Sequence, residues 1–409
     1  MKHMGGHMRA HRMGAPRLLR SVAVIGFAVM LGGCSGEPAS APAATTSERP
    51  QPSVTATAAP VASAPSARLT AGCDELISPE TIAAVFTTET TLRPLGYDQS
   101  SDGPVALAVQ QLGAVNCVWA NGPRRPPWQE GVTEGFSSAR LTVVPDGEAP
   151  WQEYAATYAL AQEAPSPYGE SAFGPRCVPE IGSCFFQALV GTYWADLTVS
   201  GVGSAGMGAD EMDELVTPLT DGLMQTLAAE SAPPAVWVAP EGTEPLPVEC
   251  TELLSEAQAE QLSGAGPLRV GVSWDGPRVG QQYYSMSESG AQRCHIHRAD
   301  SDSGIGHLDY LPGGGWGFDA LSAGWLADGS VTSDSVAGLR AEDAALIRCG
   351  VPEESCTVDI RSGGNWIQLS LTAYAPEHIG YPEGVDIRIA RDNVGAFAEA
   401  IVANLNAVG

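Results

Sequence analysis

Apolar positions fall into three regimes along the chain. Residues 21–31, Ser-Val-Ala-Val-Ile-Gly-Phe-Ala-Val-Met-Leu, form one uncharged run, and residues 35–70 show no pattern. Beyond residue 70 the pattern becomes periodic. Cys184, Phe186, Ala188 and Val190 alternate with more polar residues, as do Cys356, Val358 and Ile360. Tyr193, Ala195, Leu197 and Val199 alternate with Trp194, Asp196, Thr198 and Ser200, and Ile367, Leu369 and Leu371 alternate with Trp366, Gln368, Ser370 and Thr372. Period two with one polar face predicts half-buried antiparallel hairpins. Strands are also expected around Cys117 and Cys294 and over 139–144. Val216, Leu219, Leu223 and Leu227 have helical spacing, matched 178 residues later by Val394, Phe397, Ile401 and Leu405. In the first of these helices Pro218 is expected in the first turn, with Thr217 as its cap. Trp151, Tyr154, Ala155 and Tyr158 predict a further helix. Its counterpart at Phe318, Leu321 and Trp325 is disturbed by Gly313-Gly314-Gly315 and Gly324. Ser78-Pro79-Glu80 and Ser255-Glu256-Ala257-Gln258 read as helix starts.

The cysteines turn these matches into a duplication. Cys73 and Cys117 are 44 residues apart, as are Cys250 and Cys294; Cys177 and Cys184 are seven apart, as are Cys349 and Cys356. Flanking residues agree: Cys73-Asp-Glu-Leu-Ile-Ser with Cys250-Thr-Glu-Leu-Leu-Ser, and Arg176-Cys177 with Arg348-Cys349. The expected fold class is α+β: two tandem homologous domains, each an antiparallel sheet packed against helices and stapled by two disulfides. The first spans 71–230, the second 248–409, with a Pro-rich linker over 231–247. Four cysteines per repeat allow three pairings, and spacing does not choose among them. We favour Cys73–Cys117 with Cys177–Cys184, and Cys250–Cys294 with Cys349–Cys356. Loop closure makes the long bridges worth about 4 kcal/mol and the short ones about 2.5 kcal/mol at most.

The N-terminal regimes indicate a destination. Five of the 21 basic residues, and no acid, precede residue 34, and the uncharged run is too short to span a bilayer. Residues 1–33 therefore read as a secretory signal peptide. The segment ends in Leu31-Gly32-Gly33-Cys34, which resembles a bacterial lipobox, so Cys34 is the expected lipid attachment site, with palmitate among its acyl chains, and the membrane the expected anchor. Of the next 36 residues, 27 are Ala, Pro, Ser or Thr. Residues 34–70 are thus expected to be a disordered tether reaching roughly 30–35 Å as a coil. From residue 34 on, 16 basic residues face 47 acidic ones. Such a field repels polyanions and excludes nucleic acid as a partner. Lys2 is the only lysine, which removes phosphate-loop and Schiff-base chemistry.

Candidate chemistry is sparse. Trp194 and Trp366 occupy equivalent places on a polar strand face, beside Asp196 and Gln368, and are the candidate ligand-binding residues; the competing reading is that a helix or loop covers them. The histidines beyond the signal all lie in the second repeat. His295 and His297 share a strand face and could hold a metal with His307 or Asp309 as third ligand; the first repeat has Val118 and Ala120 there. Asp300-Ser-Asp302-Ser-Gly304 lacks the rest of a calcium loop. No Gly-x-Ser-x-Gly elbow occurs, and the first repeat has no histidine to activate a serine. No cofactor and no catalytic residue are expected.

The lipobox, the tether, and a Cys-x-x-Leu-(Leu/Ile)-Ser start followed by Cys117-Val118-Trp119 resemble actinobacterial cell-envelope lipoproteins built on a small disulfide-bonded domain of unknown function. The second repeat departs where His295-Ile296 replace Val-Trp. The resemblance implies a surface location and a non-catalytic role. The expectation is an exported lipoprotein on the outer face of the cytoplasmic membrane, with a tandem binding or sensing module facing the cell wall and a glycan, small molecule or envelope protein as partner. A metal-dependent envelope hydrolase with its site in the second repeat and a structural lipoprotein without ligand are the alternatives.

Overall fold

The computed structural model describes residues 64–86, 93–94, 103–121, 137–157, 166–202, 206–272, 279–300, 304–328, 331, 336–349, 355–372 and 393–408. Residues 1–63, which hold the expected signal segment, Cys34 and most of the expected tether, lie outside these residues, as do Tyr158 and Asp302.

The first repeat runs α1 (Cys73–Leu76), α2 (Pro79–Val85), β1 (Arg93–Pro94), α3 (Pro104–Gln111), β2 (Val115–Ala120), β3 (Ser138–Val144), α4 (Glu148–Thr157), β4 (Ala172–Val178), β5 (Ser183–Val190), β6 (Tyr193–Ser200) and α5 (Ala209–Ala229). The second runs α6 (Cys250–Leu253), α7 (Glu256–Ser263), β7 (Leu268–Val272), α8 (Gln281–Ser289), β8 (Gln292–Arg298), β9 (Gly304–Leu311), α9 (Gly315–Asp328), β10 (Ala344–Cys349), β11 (Ser355–Ser362), β12 (Asn365–Thr372) and α10 (Val394–Val408). Among the described residues the strands form two six-stranded antiparallel sheets of the same topology: β1-β2-β3-β6-β5-β4 (sheet one) and β7-β8-β9-β12-β11-β10 (sheet two).

One face of each sheet is apolar and closed by helices. Leu141, Phe186, Leu197 and Val199 pack under α5 through Val216, Leu219 and Leu223, and Ile296, Val358, Ile367 and Leu369 pack under α10 through Phe397 and Ile401. Disulfides join Cys73–Cys117, Cys177–Cys184, Cys250–Cys294 and Cys349–Cys356, the favoured pairing. The short bridges link directly opposed residues of β4–β5 and β10–β11, which is why a spacing of seven suffices. Ser78 Oγ accepts from the Thr81 N–H, and Ser255 forms its capping box with Gln258.

Several expectations are corrected. Helix α5 begins eight residues before Thr217, so Pro218 is internal and Thr217 is not a cap. The start is set by Glu211, whose carboxylate accepts the Gly208 N–H. The apolar stripe beginning at Met212 carries the helix across the proline, and the Thr217 hydroxyl donates to the Asp213 carbonyl instead. Around Phe318 and Leu321 the glycines do not prevent an uninterrupted 14-residue helix, α9. The end of the tether is also ordered: Arg68 and Leu69 are buried, and Arg68 donates to the Pro234 and Leu112 carbonyls and pairs with Asp146. The Pro-rich segment 231–247 lacks regular structure but is strapped down. Tyr193 donates to the Ser231 carbonyl, Glu244 N–H to the Gly363 carbonyl, and Asn365 to the Glu244 carbonyl.

The repeats are not separable bodies, since Thr57–Gly409 forms one compact unit. Helix α3 of the first repeat lies on β9 and β12 of the second and against α8. Its Val105, Leu107 and Ala108 share a core with Leu311, Trp316, Phe318 and Trp366. Reciprocally, α8 sends Gln281 back to the Trp194 carbonyl at 2.7 Å, on sheet one. Two glycines make the exchange possible. A Cβ at Gly317 would lie 2.5 Å from Leu107 Cδ1, and one at Gly103, where φ is +124°, would lie 2.2 Å from Gln368 Oε1.

Candidate functional site

On the second face of each sheet the same row of four cross-strand positions carries the polar chemistry. In sheet one it reads Asn116, Thr142, Asp196, Gln187; in sheet two, Arg293, Asp309, Gln368, Asp359. The pairing registers align Gln187 with Asp359 and Asp196 with Gln368, so the two repeats hold one amide–carboxylate pair in opposite orders.

That exchange has different consequences in the two sheets. In sheet two Asp359 is fully buried and fully engaged: its Oδ1 accepts from Trp366 Nε1 at 3.0 Å and Gln368 Nε2 at 2.7 Å, and its Oδ2 accepts from Arg348 Nη2 at 2.7 Å. The Arg348 guanidinium lies 4.0 Å over the Trp325 ring. Asp309, also fully buried, holds Arg293 through two hydrogen bonds of 2.9 and 2.6 Å. Each carboxylate thus has its arginine, and the Gly103 end of α3 sits against Gln368. The row is closed.

In sheet one Gln187 Nε2 donates to Asp196 Oδ2 at 2.7 Å, but the Gln187 carbonyl and Trp194 Nε1 are both buried without a partner. Burial pushes the Asp196 carboxyl up to about 6, against the lowering effects of the Gln187 hydrogen bond and the Arg140 charge. All four residues of the row keep partial access to solvent. In the adjacent row Val118, Arg140 and Thr198 are half-buried, and Phe185 is 41% exposed.

The two tryptophans named as ligand residues are fully buried, so neither offers a face for stacking. Helix α4 causes this in repeat one: Trp151 meets Trp194 edge-on with ring centroids 5.8 Å apart and stacks on Phe173 at 4.8 Å. In repeat two α9 supplies Trp325, 6.4 Å from Trp366. Among the described residues this aromatic cover extends to Phe173, directly across from Gln187.

The histidines are only partly brought together. His295 faces His307 across β8–β9 with ring centroids 6.5 Å apart, and His307 Nε2 lies 3.9 Å from Asp309 Oδ2. Burial holds the His307 imidazole below its ordinary value, with Arg293 and His295 acting in the same sense and Asp309 opposing. A register shift after Ile296 leaves His297 across from Gly304, apart from this pair. Among the described residues no group of three His, Cys, Asp or Glu side chains is gathered for a metal. A separate cavity of about 450 Å³ lies between the linker and the second repeat, but its polar lining is already paired, Arg340 with Glu244 and Asp343, and Asn365 with the Glu244 carbonyl.

Periodicity revealed Trp194 and Asp196 but missed Gln187 and Asp359. The signal was present in the cysteine spacing: aligning Cys184 with Cys356 sets Gln187 on Asp359 and Asp196 on Gln368. Comparison with protein families, curated proteins and solved structures finds no match for this chain.

Proposed function

We propose that this chain is an exported lipoprotein, anchored through Cys34 to the outer face of the cytoplasmic membrane, whose folded part is a non-catalytic binding module turned toward the cell wall. Its motifs set it beside the actinobacterial envelope lipoproteins that it resembles. The observation supporting the binding half of the reading is the contrast between the two polar rows: sheet two satisfies its buried groups internally, whereas beneath the half-buried row of sheet one the Gln187 carbonyl and Trp194 Nε1 are buried without a partner. Four disulfides support the exported half, because such bridges persist in oxidising compartments.

The test is expression in a Gram-positive host, comparing the chain with its Cys34→Ser variant. The parent is expected in the detergent phase with a mass increment of its acyl chains. The variant is expected in the aqueous phase, and to sediment with purified cell walls. A variant that stays membrane-bound overturns the anchor, and one that ignores the wall overturns the binding module.

A further inference from the structure

We propose that residues 64–72 form a clasp that tension on the tether releases: the strap leaves its seat as far as the Cys73–Cys117 bridge, and its release loosens α3 and the start of the linker, through which the first repeat reaches the second. The source of the tension rests on the Cys34 anchor of the reading above; the seat and its stop are independent of that reading.

The strap has no helix or strand and is held point by point. The Arg68 N–H donates to the Gly113 carbonyl at 2.8 Å. Its guanidinium donates to the carbonyls of Pro234 at 2.5 Å and Leu112 at 3.3 Å, and pairs with Asp146 at 2.8 Å. A Cβ on Gly113 would lie 2.2 Å from Arg68 Cγ, so this buried side chain fills a slot that a glycine leaves open. Two residues on, the Glu230 carboxylate accepts the Thr70 N–H at 3.2 Å, the Thr70 hydroxyl at 2.9 Å and the Ala71 N–H at 2.7 Å. These partners sit where elements meet. Leu112 and Gly113 close α3, and Glu230 closes α5 just ahead of the linker that contains Pro234. Beside Leu112, Gln111 donates to the Pro312 carbonyl of the second repeat at 2.8 Å, so a shift of the α3 end carries across.

The stop is covalent. Cys73 lies just past the strap and is bonded to Cys117 on β2, within sheet one. Tension from the N-terminal side therefore undoes the contacts of residues 64–72 in turn and then pulls on the sheet, an extension of at most about 32 Å. Withdrawal takes the side-chain donor from the Leu112 carbonyl at the end of α3 and unpins Pro234, while both sheets and their disulfides stay intact. The second repeat lacks this clasp at the matching place. Pro245 stands before Cys250 where Arg68 stands before Cys73, with neither a guanidinium nor a backbone N–H, and Gly290, the counterpart of Gly113, faces Pro312. The clasp belongs to the repeat that follows the tether.

The experiment uses the exported chain carrying Cys34→Ser, disulfides intact, pulled in magnetic tweezers between its N-terminus and a handle at Ile181, which is exposed within the loop closed by Cys177–Cys184. One reversible step of no more than about 32 Å is expected before sheet one unfolds. Arg68→Ala is expected to lower the force of that step by about half or more, and Glu230→Ala, which leaves the Arg68 seat in place, to lower it by less. Without load, hydrogen exchange in Arg68→Ala is expected to quicken about tenfold or more in residues 104–113 and 231–239, while β5 and β6 keep their protection. Absence of the step in the parent, a step well beyond this length, or an Arg68→Ala step at the parent's force overturns the clasp. Should Arg68→Ala fail to fold, an undiminished force in Glu230→Ala overturns it equally. Unchanged exchange in α3 and the linker overturns the coupling to the second repeat. A Cys34→Ser chain that stays on the membrane overturns the anchor alone, since none of these readouts involves a membrane.

Discussion

Asp359 is fully buried and Asp196 half-buried, each facing a glutamine amide, yet they should respond in opposite ways to amidation. Asp359 neutralises Arg348 and accepts the Trp366 and Gln368 protons, so Asp359→Asn strands an arginine and replaces an acceptor with a donor. Removing one partner of such a buried pair is expected to lower unfolding free energy by about 3 kcal/mol in chemical denaturation. Asp196 is raised from 3.8 to about 6 by burial. The folded state therefore holds its proton more tightly than the unfolded chain. Between about pH 4 and pH 6 folding takes up a proton, and this group's contribution falls as pH rises, then stays level above. Asp196→Asn is expected to be at least as stable as the parent at pH 7, with its relative gain growing from pH 4 to pH 6 in thermal melts. A less stable variant at pH 7 would mean that the carboxylate is structural. A carboxylate retained where an amide would be more stable is one kept for something other than folding.

At the scale of elements, α5 tests how far a tertiary stripe overrides local propensity. Pro218 sits on the exposed side of a 21-residue helix, where it removes one backbone hydrogen bond and crowds the Glu214 carbonyl. Pro218→Ala is expected to raise stability by about 2 kcal/mol, read from the denaturation midpoint. Unchanged stability would show that the helix already accommodates the ring through the Thr217 and Thr220 side-chain bonds. The same competition explains what was legible beforehand. Hairpins and terminal helices could be read because alternation and the 3.6-residue stripe each map onto one buried face. Of the favoured disulfides, the short ones join cysteines that stand opposite one another in register, whereas the long ones tie the first short helix of each repeat to a strand, Cys73 to Cys117 and Cys250 to Cys294. Pro218 misled because proline reports a local preference, whereas Met212 and Val216 upstream of it already belong to the core. The site was half visible: Trp194 and Asp196 share a strand, whereas Gln187 reaches Asp196 only through strand pairing. Whether the Trp194 face was open or covered depended on α4, and sequence alone does not state where a helix docks.

For the molecule as a whole, the exchange of α3 and α8 is the feature that periodicity could not report. Val105, Leu107 and Ala108 read as any core-facing triplet, and nothing in them says that the sheet they cover belongs to the other repeat. Leu107 is fully buried there. Leu107→Ala is expected to cost 2–5 kcal/mol, with a spatial signature: hydrogen exchange should accelerate in β12 and α9, more than 200 residues downstream, before it accelerates in β5 and β6. Protection lost only within the first repeat would contradict the exchanged packing.

That packing also has a consequence in time. A chain synthesised from its N-terminus presents the apolar side of α3 long before Trp366 exists to receive it. The first half can form its own disulfides and its own inner core, but one side stays bare until some 250 further residues have emerged. A fragment cut within the linker would keep that bare side permanently, and a second copy carries no α8 with which to cover it. The second half is therefore the first half's missing surface, supplied late by the same strand of synthesis.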